Sequence, residues 1–172
     1  NIQVGIVTMG PPRAGEIIRQ GLYRGADCGW LLTDRKSAGA DTLATSYFLS
    51  KAIEKIGKEI GHVDIVLGGR QAIDGDTAQV GPQIAEHLGL PVISYAEEVK
   101  VDGDAVVVKR QYEDRYHMVK AKMPVLITAL SELNEPRYMT PAGIWDAVDA
   151  EITTWGRADL KDLDDSNIGL AG

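Results

Sequence analysis

Two runs in the chain carry residue types that suit a phosphorylated ligand. The first is Gly39-Ala40-Asp41-Thr42-Leu43-Ala44-Thr45-Ser46. Its small residues let backbone approach a ligand, and the Thr42 and Thr45 hydroxyls, with the amides of a first helical turn, suit a phosphate. A plain helix cap by Asp41 or Thr42 accounts for the same residues. The second run extends from Gly68 to Gln83. Gln71, Asp74, Thr77 and Gln79 offer donors and acceptors for a ribose or an adenine edge. Gly81 removes a Cβ from amides that suit a pyrophosphate, and Pro82 suits a first helical position. A long solvated loop is the alternative, but connections of this length inside a domain are usually functional.

The elements that must position these runs alternate between strand and helix. Ile2–Thr8 reads as a strand that ends at Met9-Gly10-Pro11-Pro12, and 13–24 as a helix stopped by Gly25. A short strand, Gly29–Thr33, precedes the first run, and a second helix covers about Thr42–Ile56. Val63–Gly69 is a buried-type strand before the second run, and a third helix ends near Leu88-Gly89. Leu90–Ser94 begins another strand. This order implies βαβ crossovers and a parallel sheet, with both runs beyond the carboxyl ends of strands, where open sheets bind ligands. From Glu97 the pattern changes: Asp102-Gly103 between valine-rich runs signals a hairpin, and 119–123 alternates as a half-exposed strand does. Pro124–Ala129 returns to buried-strand character, 133–138 is a loop, and 140–150 a helix. The expected fold is an α/β, Rossmann-like domain over 1–150, a mostly parallel sheet with flanking helices and an antiparallel excursion. Residues 151–172 are expected as a C-terminal strand and an exposed acidic tail from 157 onward.

Composition narrows the classes. The 172 residues carry a net charge of −7 and 44% hydrophobic residues, enough for a core and opposed to a nucleic-acid or anionic-membrane partner. No run is long enough to span a bilayer. One cysteine, Cys28, excludes an internal disulfide and a thiolate metal cage, fits a cytoplasmic setting and reads as a buried structural thiol. There is no G-x-G-x-x-G after a strand, no Walker loop, no H-E-x-x-H and no EF-hand pattern. His62, His87 and His117 stand singly as surface or capping residues, and no carboxylate pair suggests acid–base work. No catalytic residue and no metal site are expected. Nucleotide loops without an acid, base or nucleophile imply a cofactor that brings its own chemistry.

The run from Asp64 to Pro82, with Arg70-Gln71-Ala72-Ile73-Asp74-Gly75-Asp76 at its centre, resembles the adenine-nucleotide loop of electron transfer flavoprotein beta subunits. Leu133-Asn134-Glu135-Pro136-Arg137-Tyr138 resembles a second hallmark of that family, and Val7-Thr8-Met9-Gly10-Pro11 its strand-to-loop turn. The resemblance covers about residues 2–150 and implies that the family's first strand lies before Asn1. Some members hold AMP in this subunit, with the FAD mainly in the alpha subunit. Others hold a second FAD here and bifurcate the electrons of NADH, and Leu32–Ser46 looks like this second kind. The resemblance implies that Asp41, Thr42, Ala44, Thr45, Gly69, Gln71, Asp74, Thr77, Gln79, Val80 and Gly81 contact the nucleotide, with Met9 and Gly10 lining the same crevice. It also implies an alpha-subunit partner, ferredoxin or flavodoxin as the low-potential acceptor, and an acyl-CoA or hydroxyacid dehydrogenase. That dehydrogenase would be recognised through Asn134, Glu135, Pro136, Arg137, Tyr138 and Pro141, the last standing where many members carry an anchoring Leu. Two rivals are an AMP-holding subunit without bifurcation and, from another class, an adenylate-sensing stress-type module.

Overall fold

A computed structural model describes residues 2–161, 163 and 164. They fall into two compact units, Asn1–Ile53 with Pro136–Gly172, and Glu54–Glu135.

The first unit is built on three parallel strands, β1 (Gly5–Met9), β2 (Cys28–Leu32) and β8 (Thr153–Trp155), in the order β1-β2-β8. Helix α1 (Gly15–Leu22) places Ile18 and Leu22 at i and i+4, one stripe, against Leu31. The approach is close because Gly21 carries no side chain: a Cβ there would meet Ile6 Cδ1 at 1.9 Å. Helix α4 (Pro141–Ala147) adds Ala147 to the same cluster. Arg19 Nη1 donates to Val148 O at 2.8 Å, satisfying a carbonyl beyond the end of α4. Helix α2 (Thr42–Ile60) contributes residues up to Ile53 to this unit.

The second unit holds a five-stranded sheet, ordered β3 (Ile65–Gly69), β7 (Val125–Ala129), β4 (Val92–Asp102), β5 (Ala105–Tyr112), β6 (Arg115–Lys122). The β3–β7 and β7–β4 pairs are parallel; β4–β5 and β5–β6 are antiparallel. Odd-numbered Val125 and Ile127 join Ile93, Ala96, Val106 and Val108 in one buried cluster. Helix α3 (Val80–Leu88) lies on β7. Gly103, at φ 63°, is the first central residue of the two-residue turn between Asp102 and Ala105, where a II′-type turn favours glycine.

The expected α/β fold, mostly parallel with an antiparallel excursion, is what the chain adopts, divided between two sheets. Local expectations differ in places, among them the second helix, which runs on to Ile60 instead of ending near Ile56. The first strand begins at Gly5, since Ile2 and Val4 are exposed. β3 is an edge strand with Leu67 63% exposed, so its unbroken apolar run does not mean burial on both faces. Helix α4 ends at Ala147, short of 150. The tail does not start at 157: Arg157–Asp159 form a 3-10 turn and Leu160 is buried. The rest of the expected tail, Asp162 and 165–172, lies outside the described residues.

Candidate functional site

In the second unit, residues 70–79 join the carboxyl end of β3 to α3. The loop holds itself in shape. Gln71 Nε2 donates to Asp76 Oδ1 at 2.5 Å, and the Asp76 amide donates to Ala72 O at 3.1 Å. Asp76 and Ala78 sit at φ 48° and 53°. A non-glycine residue in this region costs about 1–3 kcal/mol and persists only where its surroundings over-determine it. Gly69, Gln71, Asp74, Thr77 and Gln79 are exposed and Val80 is half-buried, so the polar side chains of the expected nucleotide loop face outward. Gly81 has a structural duty as well: a Cβ there would lie 2.7 Å from Thr128 Cγ2, so its absence lets α3 seat on β7. Pro82 is the third helical residue, not the first, but still in the turn whose amides have no intrahelical acceptor. Next to it, Gln83 Oε1 is buried without a hydrogen-bond partner.

In the first unit, β1 runs out at Met9, and the Gly10 amide donates to Leu32 O at 2.9 Å, continuing the parallel pairing with β2. After β2, Asp34 organises the chain. Its carboxylate accepts from the amides of Lys36 at 2.9 Å and Arg157 at 3.0 Å. Those two backbone donors hold its pKa below the ordinary aspartate value. Asp41 then caps α2: its Oδ1 accepts from the Ala44 amide at 2.8 Å, and its carbonyl from the Thr45 amide at 2.9 Å. Ala44 is buried and its amide is engaged by Asp41; Thr42 and Thr45 are half-buried at the same helix start. Ser46 turns its hydroxyl back onto Leu43 O at 2.8 Å, committing it to its own helix. Asp41, Thr42, Ala44 and Thr45 therefore gather at one helix N-terminus in this unit, and the residues from Gly69 to Gly81 run from the end of β3 through the 70–79 loop into α3 in the other.

The run expected to meet a dehydrogenase also has a definite form. Asn134 and Glu135 close the second unit; Pro136, Arg137 and Tyr138 open the returning segment of the first. Tyr138 is 89% exposed. Thr140 Oγ1 accepts from the Gly143 amide at 3.0 Å and caps α4, with Pro141 at its first position. Gly143 is required by packing, since a Cβ there would lie 2.7 Å from Tyr23 O. Ile144 and Trp145 on α4 and Val148 just after it are exposed, Trp145 by 82%. A cleft of about 540 Å³ lies within the first unit between the end of α1 and this segment, lined by Tyr23, Arg24, Asp27, Arg137 and Asp146 among others.

Among the described residues no group of three or more His, Cys, Asp and Glu is placed to hold a metal. No described helix is long and apolar enough to cross a membrane. His62 is exposed beside Asp64 at 3.2 Å, His87 lies in the last turn of α3, and His117 stacks on Tyr112. Cys28 is half-buried, not buried as expected, and partial burial raises its pKa, the opposite of an activated thiolate. The sequence reasoning passed over the exposed α4 stripe. The Ile144-Trp145-Val148 spacing signals it once 141–147 is known to be a helix.

A strand-to-helix loop in one unit and a small-residue helix start in the other stand on an α/β scaffold. Residues 1–160 match the electron transfer flavoprotein domain, and the chain belongs to that family. An electron transfer flavoprotein subunit beta from Clostridium acetobutylicum is 50% identical over 169 residues, covering 98% of this chain and 63% of its own length. A protein named caffeyl-CoA reductase-Etf complex subunit CarD, from Acetobacterium woodii, is 49% identical over 158 residues, 92% of this chain and 59% of its own length. One named acryloyl-CoA reductase electron transfer subunit gamma, from Anaerotignum propionicum, is 44% identical over 174 residues, 99% of this chain and 64% of its own length. The chain thus spans less than two thirds of these curated relatives.

Proposed function

We propose that this chain is the nucleotide-binding part of an electron transfer flavoprotein beta subunit that holds FAD and takes part in electron bifurcation beside an alpha subunit. The observation that carries the proposal is the loop after β3 in the second unit; the start of α2 in the first unit is taken by itself. The 70–81 connection offers outward polar side chains in a strained, self-braced backbone, and the start of α2 places two threonine hydroxyls on one turn. The residues fit such a group. Gln83 Oε1, buried and unpartnered beside the 70–81 connection, is an acceptor that a ribose hydroxyl, an adenine amine or a water would satisfy. The names of two relatives, which place them with acyl-CoA-type reductases, support a bifurcating assembly.

Bound flavin would supply the redox chemistry, accepting hydride from NADH and passing one electron to ferredoxin or flavodoxin and one, through the alpha-subunit flavin, toward an acyl-CoA or hydroxyacid dehydrogenase. The chain's own residues bind and orient. In the second unit Gln71, Asp74, Thr77 and Gln79 suit a ribose and adenine, in the first unit Thr42 and Thr45 offer hydroxyls that suit a phosphate, and none moves a proton. Tyr138 and the exposed α4 stripe offer an aromatic, desolvatable surface to the dehydrogenase, the composition that dominates interface energetics. The assembly works in a reducing cytoplasm, as a single free thiol suits. NADH oxidation by the holo-complex should depend on both acceptors being present; equal rates with and without them would remove coupled bifurcation. A second reading, AMP in place of FAD, is favoured by one observation: Asp41 caps α2 through Ala44 N, so the Gly39–Ser46 run is accounted for without a second phosphate.

A further inference from the structure

A strained residue in the second unit points to an oxyanion site that the family assignment leaves untouched. Tyr95 has φ 62°, a region where a bulky side chain is a true outlier. The strain is built by a bulge. Along β4 and β7 the register runs Ile93↔Ile127 and then Ala96↔Ala129, so Ser94 and Tyr95 together oppose Thr128 alone. The Tyr95 amide donates to the buried Thr128 hydroxyl at 3.1 Å, and Leu130 N to Ala96 O at 3.0 Å, which pins the bulge on both sides. Such outliers persist where the surroundings over-determine them and cluster at ligand sites.

What the bulge positions is cationic. Arg110, opposite Ala96, donates from Nε to Ser94 O at 3.1 Å, so its position is fixed by the same bulge. Arg70, the first residue after β3, lies over the Tyr95 ring at 5.4 Å from its centroid. Arg70, Tyr95, Arg110, Gln111, Tyr112 and Glu113 line one cleft of about 300 Å³, at the carboxyl side of the parallel strands where open sheets take ligands. Among the described residues neither guanidinium forms an ion pair, although Glu113 lines the same cleft. Lys109, on the neighbouring position, is by contrast paired with Glu97 at 3.1 Å. Two guanidiniums, one of them half-buried, beside an aromatic face suit a planar or tetrahedral oxyanion carried on a ring-bearing ligand.

We propose that this cleft binds the phosphate or pyrophosphate of a nucleotide, with Arg70 and Arg110 as its anion contacts and Tyr95 as a ring platform. Two sources share that chemistry: an exchangeable dinucleotide donor, or the phosphates of the nucleotide resident in the 70–81 loop. Only this choice of source rests on the function proposed above.

The test is calorimetric titration of inorganic pyrophosphate at constant ionic strength into the purified heterodimer, both as isolated and after its bound nucleotide has been removed by dialysis. Saturable binding should weaken at least tenfold in Arg70→Gln and in Arg110→Gln, and stay unchanged in Lys100→Gln, whose partner is Glu98 at 2.6 Å. Arg70 is exposed and its replacement leaves the bulge intact, so it keeps the test meaningful if the Arg110 variant does not fold. No saturable binding to either preparation, or equal binding in wild type and Arg70→Gln, overturns the proposal. The nucleotide released on denaturing Arg70→Gln then separates the sources. Full retention with a raised KM for NADH assigns the cleft to a donor; loss of bound nucleotide assigns it to the resident one. A heterodimer without FAD would remove the flavin assignment of the preceding subsection and leave the pyrophosphate result standing.

Discussion

Asp34 shows how one carboxylate can hold two separated stretches in register. It accepts from Lys36 and Arg157, and both bonds favour its charged form. A depressed folded-state pKa contributes stability that is present above the unfolded value of 3.8 and disappears as pH falls through the folded value. Asp34→Ala should therefore lower stability by about 1 kcal/mol at neutral pH. The gap to wild type, measured by urea unfolding at several pH values, should close below about pH 4. A gap that widened in acid would contradict this. Asp41→Ala removes the α2 cap and should cost about 1 kcal/mol in the same assay. Gly81→Ala drives a methyl to 2.7 Å from Thr128 Cγ2, and the forced shift of α3 should cost about 1–3 kcal/mol. Wild-type stability in Gly81→Ala would mean that the close approach of α3 to β7 is not needed.

At the scale of elements, alternation of apolar runs and glycine stops was enough to find most of the strands and helices. Ile18 with Leu22 marks α1 by spacing alone, and Asp102-Gly103 marks the β4–β5 hairpin. What periodicity could not supply was the neighbour. Leu67 belongs to as apolar a run as any in the chain, yet β3 lies at a sheet edge and leaves it exposed. Nor does any local pattern announce that Ser94 and Tyr95 oppose one residue, because a bulge depends on the partner strand. The residues proposed to meet a nucleotide were nameable from the resemblance of the loop motifs, whereas Arg110, remote from them in sequence and proposed only from the bulge, was not. The α4 stripe supports a prediction at this scale. Trp145 is 82% exposed, so Trp145→Ala should leave stability within about 0.5 kcal/mol of wild type. Electron transfer to the partner dehydrogenase should fall at least tenfold, read as a raised KM for the dehydrogenase. An unchanged KM would exclude α4 from that contact.

For the whole molecule, the proposed function gives binding to the chain and the redox chemistry to a bound cofactor. The proposed function asks different things of the two runs. The 70–81 connection suits any adenine nucleotide, while the start of α2 has work only if a second phosphate is present. That difference makes nucleotide stoichiometry the most direct test of the account. The measurement is the nucleotide released from the denatured heterodimer, separated by chromatography and quantified per heterodimer. The account predicts two FAD and no AMP, with one FAD lost in Thr42→Ala/Thr45→Ala. One FAD with one AMP would contradict it, and the Gly39–Ser46 run would then be the cap of α2 and nothing more.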